Sequence, residues 1–278
     1  MAKRQKLWSI FEKPVLAFIL VGQRSDSLIY VTNKKKICKE IGIECIGLEL
    51  EESVSQDELS LRVQELQSDP RVCGILVQLP LPKHIDENKI LDLISPDKDV
   101  DGFHPYNIGN LALKGREPFF VSCTPQAVLE LIKSVCPDIQ GKNVTIVGKS
   151  NIVGLPLSLL LNNHNATVSL CHSQTMNLEE YVRRSDIFVA AIGKISYFKG
   201  EWIKEGAIVI DVGINVITQL DKEGNQQRLV YGDVEFNKAI EICSYITPVP
   251  GGVGPMTIAM LMKNILISWE RLNGIQMR

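Results

Sequence analysis

The chain has 278 residues, 45% of them hydrophobic and 22% charged, with a formal net charge of -2. That length suffices for two cores of ordinary size, and the near-neutral balance removes the electrostatic case for nucleic acid or an anionic membrane surface as partner. No apolar run approaches the ~20 residues that a membrane-spanning helix needs. The basic start MAKRQKLWSIFEK lacks the apolar stretch of a secretory signal. Seven cysteines, odd in number and without C-x-x-C spacing, read as reduced thiols of a cytoplasmic protein, with neither a disulfide framework nor a metal site.

In chain order, the apolar run Val15 to Val21 is the first predicted strand. Ser27 to Ile41 reads as helical, Ile43 to Leu50 as extended, Gln56 to Gln67 as helical and Gly74 to Leu79 as extended. PLPKHIDENK then leads into a helix through Ile94. SPDKDVDGFHPYNIGN is expected to be a long polar connection, because its Pro, Gly and Asn content argues against any regular element. A loop of that length inside a compact domain is usually functional. A domain boundary is expected at Cys123 to Pro125, where Thr124 and Pro125 start a helix. Strand and helix patterns alternate to about residue 235, implying parallel α/β architecture throughout. After ITPVPGGVGPMT, the strongly apolar helix Ile258 to Leu272 is expected to return to the first domain. The organisation expected is therefore a first domain of residues 1–123 completed by 257–278, and a second of 124–256.

The most informative stretch is Lys142 to Thr175. The apolar run Val144 to Val147 ends at Gly148, Gly154 follows, and Leu155 to Leu161 supplies the helix that Asn163 to Asn165 stop. Ala166 to Cys171 is again short, apolar and β-branched, so the unit closes at the length of a βαβ crossover. A turn without a Cβ lets backbone approach a phosphate, and the helix start behind it offers free N–H groups and a positive dipole end. A nicotinamide or flavin cofactor is implied. An NAD site usually carries Asp or Glu at the end of the second strand, whereas this chain has CHSQT. Ser173 and Thr175 can donate to a phosphate and Lys149 can pair with it, so the pocket suits the extra phosphate of NADP.

Three further sets look chemical. Tyr30 and Lys34 stand at i and i+4 on one predicted helix, although TNKKKICKE also reads as a solvated basic face. Gln78 is a polar amide in GILVQLPLP and belongs at a strand's C-terminal end, where open α/β sheets bind ligands. Asp99 and Asp101 lead a turn at Gly102, and aspartates in such turns commonly cap their own backbone.

Taken together, YVTNKKK, GILVQLPLP, KDVDGFHPYNIGNL, CTP, SNIVGLP, ATVSLCHSQT, IVIDVGIN, GDV and ITPVPGGVGPMTIAML closely resemble the bifunctional methylenetetrahydrofolate dehydrogenase/cyclohydrolase family, from about Val15 to Asn264. The resemblance implies an N-terminal α/β catalytic domain that binds folate, a Rossmann-type NADP-binding domain with a parallel sheet, and a homodimer joined through the latter. It implies NADP-dependent oxidation of methylene-tetrahydrofolate and hydrolysis of the methenyl product to formyl-tetrahydrofolate, with no metal required. Tyr30 would stack on the folate rings. Lys34 would be the acid/base group, neutral when it accepts a proton from water, and Gln78 would hold it. Asp101 would accept from the pterin N–H groups. Pro250 and Gly254 would line the same cleft. On the cofactor side the resemblance implies Thr124, Gly148, Lys149, Ser150, Ser173, Ile214 and Thr257.

The chain departs from the family pattern at several positions. Lys149 stands where arginine is usual and forgoes the planar bidentate contact with phosphate. Ser122 replaces proline, Ala127 glycine and Ile195 proline, and the chain opens so close to the first strand that a shortened opening segment is expected. Two other readings remain open on sequence: a dehydrogenase for another small metabolite, and a binding protein without turnover.

Overall fold

The computed structural model of the chain describes residues 12–220 and 226–275, without the side chains of residues 25–27, 29, 30 and 220. The chain divides into two compact units. The first comprises Met1–Asn110, Glu117–Cys123 and Leu261–Arg278, and the second Leu111–Arg116 and Thr124–Met260.

In the first unit, strand β1 (Val15–Val21) lies between β2 (Glu44–Leu50) and β3 (Val72–Val77), all parallel. Every residue of β1 and β3 is buried, which is why both read as unbroken apolar runs and show no alternation. Helix α1 (Ser25–Ile41) crosses from β1 to β2 and stops at Gly42, whose φ of 85° and N–H bond to the Cys38 carbonyl form a left-handed cap. Helix α2 (Gln56–Ser68) begins where the Ser55 hydroxyl oxygen accepts the Glu58 N–H, and it buries Leu59 and Val63 completely. Each of those side chains contributes roughly 1.5–3 kcal/mol. Helix α3 (Glu87–Leu91) is capped by the Asp86 carboxylate and ends short of the expected Ile94.

The connection after α3 is not the unbroken loop that its composition suggests, because Pro105–Ala112 forms helix α4. Proline opens that helix, where a missing N–H costs nothing. The asparagines act as buried connectors: Asn107 donates to the Asp99 carboxylate at 2.9 Å and the Pro96 carbonyl at 3.0 Å, and its own oxygen accepts the Phe119 N–H at 2.9 Å.

The second unit holds helix α5 (Cys123–Val135, its first residue assigned to the other unit) and then β4 (Asn143–Val147), α6 (Gly154–Asn163), β5 (Thr167–Cys171), α7 (Leu178–Arg183), β6 (Ile187–Ala190) and β7 (Ile208–Asp211). It also contains β8 (Asn215–Leu220), β9 (Gln226–Tyr231), α8 (Phe236–Ala239) and β10 (Tyr245–Ile246). The five-stranded sheet is parallel in the order β10-β7-β6-β4-β5. Phe188 and Phe198, both fully buried, meet edge to face at 4.9 Å in its core. Parallel architecture does not hold throughout, since β8 and β9 pair antiparallel as a separate two-stranded ribbon.

Helix α9 (Val253–Leu272) starts five residues ahead of the expected Ile258, because Pro255 falls in its first turn, where proline is tolerated. The division between the units falls within α9, after Met260.

Candidate functional site

In the first unit, β3 ends at Val77, and Gln78 follows with its backbone N–H held 2.9 Å from the Ile19 carbonyl. The amide therefore leaves the carboxyl edge of the sheet half-buried and avoids the cost of full burial inside a strand. Lys34, half-buried on α1, donates to Gln78 Oε1 at 3.1 Å, while Gln78 Nε2 donates to the Leu79 carbonyl at 2.9 Å. That second bond fixes which way the amide faces, with its oxygen toward the ammonium.

The turn carrying Asp101 is held beside the same edge. Ile75 and Asp99 form a parallel bridge, with the Ile75 N–H 2.8 Å from the Lys98 carbonyl, so the 98–102 segment runs alongside β3 in the same direction. Gly74 permits that approach, because a Cβ there would press on the Val100 side chain at 2.5 Å. Gly102 closes the turn at φ 73°, where a Cβ would come within 2.7 Å of the Ser122 nitrogen, so only glycine fits. Asp99 acts as framework: its buried carboxylate accepts from the His104 N–H and the Asn107 amide, and burial pushes it up to about 6. Asp101 is likewise raised to about 6 by burial, opposed by the nearby Lys34 ammonium and reinforced by Asp99. Lys34 thus contacts Gln78 directly and lies near enough to Asp101 for its charge to act on that carboxyl. Tyr30 lies on α1 one turn before Lys34, and its side chain is outside the described residues.

Sequence reasoning missed the residues that clamp this turn. Asn264 of α9, buried among apolar neighbours, donates to the Val100 carbonyl at 2.8 Å and the Val121 carbonyl at 3.1 Å. The Ser122 hydroxyl donates to the Gly102 carbonyl at 2.8 Å. An asparagine in the apolar run IAMLMKNILISW was the available signal for the first, and the departure at Ser122 from the proline expected by resemblance was that for the second.

In the second unit, Gly148 turns out of β4 at φ 127°, its N–H donating to the Cys171 carbonyl at 2.9 Å. A Cβ at Gly148 would collide with the Ala191 carbonyl oxygen, and one at Gly154 with the Gly148 carbonyl oxygen. The bare backbone between strand and helix is the cradle a pyrophosphate requires, so the residues present fit a dinucleotide. Lys149 and Ser150 are exposed on that turn, and the Ser150 hydroxyl oxygen accepts the Val153 N–H at 3.2 Å. After β5, the Thr175 hydroxyl oxygen accepts the His172 N–H at 2.9 Å, shaping a loop on which Ser173 is exposed. Ile214 is exposed after β7, and Thr257 donates to the Val253 carbonyl at 3.0 Å and lies 3.3 Å from the Thr124 hydroxyl. Pro250 is exposed in the loop before α9, and Gly254 sits in the first turn of that helix with open space where a Cβ would be. Both belong to the second unit.

Among the described residues no cluster of His, Cys, Asp and Glu could hold a metal ion, and no helix is long and apolar enough to cross a membrane.

Comparison with known proteins gives concordant matches over both units. A family model described as tetrahydrofolate dehydrogenase/cyclohydrolase, catalytic domain, matches residues 2–101, and one described as the NAD(P)-binding domain of the same family matches residues 122–273. The bifunctional protein FolD 2 of Arabidopsis thaliana is 53% identical over 261 residues, 94% of this chain and 87% of that one. The bifunctional protein FolD of Acetivibrio thermocellus is 53% identical over 251 residues, 90% of this chain and 85% of the other. The solved N5,N10-methylenetetrahydrofolate dehydrogenase-cyclohydrolase of Trypanosoma brucei, complexed with NADP cofactor and inhibitor, is 40% identical with a TM-score of 0.92, covering 97% of this chain and 92% of that one.

Proposed function

The chain belongs to the tetrahydrofolate dehydrogenase/cyclohydrolase family, and on that premise we propose how its residues carry the two reactions. It is an NADP-dependent methylenetetrahydrofolate dehydrogenase and methenyltetrahydrofolate cyclohydrolase. Gly148, Lys149, Ser150 and Ser173 would hold NADP, which would supply the hydride acceptor that turns the methylene substrate into a methenyl cation. Lys34 then accepts a proton from the water that attacks that cation, and ring opening gives the formyl product. Gln78 holds the lysine nitrogen through the 3.1 Å contact, which is the observation that carries this assignment. Asp101 accepts from the pterin N–H groups and Tyr30 stacks on the folate rings, while Pro250 and Gly254 are assigned to folate binding by the resemblance alone. Gly148 and Ser150 receive the pyrophosphate, while Lys149 and Ser173 bind the extra phosphate of NADP. Thr124, Ile214 and Thr257 complete the cofactor site. On this reading the first unit is the folate domain and the second the NADP domain.

A homodimer through the second unit is part of the proposal. An isolated two-stranded ribbon is marginal in water, and β8–β9 exposes Val216, Ile217 and Tyr231. Sedimentation at graded protein concentration tests the dimer, and ribbon substitutions that leave a tight dimer intact would exclude this surface. A cytoplasmic location is proposed from the cysteines, all seven of which are free thiols, and fractionation tests it. An absorbance assay with methylene-tetrahydrofolate and either NADP or NAD, following appearance and decay of the methenyl chromophore, tests the activity directly. Failure of that chromophore to form with either cofactor would refute the reaction.

A further inference from the structure

Two buried carboxylates in the second unit take no part in the chemistry above: Asp211 ends β7, and Asp233 stands two residues after β9. Asp233, fully buried in the GDV segment, accepts four N–H groups. Its Oδ2 takes those of Ile192 at 2.7 Å and Gly193 at 2.9 Å, and its Oδ1 takes the Lys194 N–H at 2.8 Å and the Asn215 amide at 2.9 Å. Asp211, the last residue of β7, accepts the N–H groups of Gly213 at 3.0 Å, Asp233 at 2.9 Å and Val234 at 2.8 Å. The packing leaves no slack, since a Cβ at Gly213 would collide with the Asp233 carboxylate and one at Gly232 with that of Asp211. The two acids therefore lock the turn after β6 to the turn after β7.

The sheet order says what those turns face. A dinucleotide crosses the carboxyl edge with its pyrophosphate at the first glycine turn and its adenosine ribose at the end of the next strand. Here those places are Gly148 after β4 and Ser173 after β5, so the remaining half of the cofactor must extend the other way along β10-β7-β6-β4-β5, over β6 and β7. We propose that Asp233, seated on Asp211, is a positioning residue of the dehydrogenase step: it holds the Ile192–Lys194 turn and the Gly213–Asn215 segment as the surface on which the nicotinamide half of the dinucleotide lies. The proposal rests on the assignment of the cofactor site to this edge. Three consecutive backbone donors drawn onto one carboxylate cannot be reproduced by an amide, because an NH2 group would oppose at least one of them.

The test is steady-state kinetics of Asp233→Asn with both substrates varied. The expected result is a rise of about ten-fold in KM for NADP, the loss expected for disturbed charge-assisted bonds, with KM for methylene-tetrahydrofolate changed less than two-fold. Should Asp233→Asn fail to fold, Asn215→Ala removes one side-chain donor without stranding a buried charge, and it is expected to raise KM for NADP about three-fold. Lys149→Ala, measured in parallel, separates this proposal from the site on which it rests. If Lys149→Ala weakens NADP while the foldable variants of Asp233 and Asn215 leave it unchanged, the positioning role is overturned alone. If all leave NADP unchanged, the cofactor site falls with it. Equal losses toward both substrates would overturn the proposal in favour of a general structural role.

Discussion

The Lys34 ammonium donates to Gln78 Oε1 across 3.1 Å, joining a helix to the end of a strand 44 residues away in sequence. Because Gln78 Nε2 is committed to the Leu79 carbonyl, the amide presents only its oxygen to the lysine. The pair therefore positions one nitrogen with its protons directed. Lys34→Met keeps the stem and removes the ionisable group. Cyclohydrolase turnover is expected to fall by roughly 100- to 10,000-fold, the range for a lost general base, with NADP affinity and unfolding midpoint close to those of the parent. Hydrolysis within a few-fold of the parent would remove Lys34 from the mechanism.

Lys149 tests the cofactor preference. Its exposed ammonium stands on the turn after β4, and a charge-assisted contact to the extra phosphate predicts that Lys149→Ala weakens NADP by roughly 1–3 kcal/mol while NAD is little changed. Titration calorimetry with each cofactor reads the difference. Equal losses would assign Lys149 to the shared pyrophosphate.

Asp101 separates folate recognition from turn capping. As the pterin acceptor, Asp101→Ala loses folate binding while NADP binding survives, and both activities fall together. As a cap alone it loses about 1 kcal/mol of stability and keeps both. The pH dependence adds a second reading, because burial raises this carboxyl from 3.8 to about 6. The folded pKa lies above the unfolded one, so the folded state binds the proton first. Stability relative to Asp101→Asn should therefore rise as pH falls from about 6 toward 4. Dehydrogenase kcat/KM for the folate should move the opposite way, declining below pH about 6 as the acceptor is protonated. Parallel stability profiles for parent and variant would contradict the shifted titration.

Asn264→Leu tests the clamp on the Asp101 turn. The substitution removes the amide that donates to the Val100 and Val121 carbonyls at 2.8 and 3.1 Å. A loss of about 1–3 kcal/mol in chemical unfolding is expected for two lost hydrogen bonds at roughly 0.5–1.5 kcal/mol each, together with a raised KM for folate. Unchanged stability would mean that other donors replace the amide.

The sequence alone determined much of this protein, and each legible part had a local cause. The buried parallel strands β1, β3 and β4 appear as apolar runs because both faces are covered, and the glycine turn at Gly148 shows itself because backbone must come close to backbone there. Gln78 was legible as a polar residue that a covered strand could not keep inside. Local composition misled where a residue's partner is distant. The asparagines and proline of 105–112 read as loop, yet they build α4 because Asp99 and Asn107 satisfy one another inside the fold. Alternation in 215–231 gave no sign of an antiparallel ribbon, since strand direction is set by pairing and not by propensity. Only tertiary structure could join Lys34 to Gln78, clamp the Asp101 turn through Asn264, or gather four donors onto Asp233. Hydrogen bonds between residues far apart in sequence leave no period in it; they exist only once the core has brought their partners together.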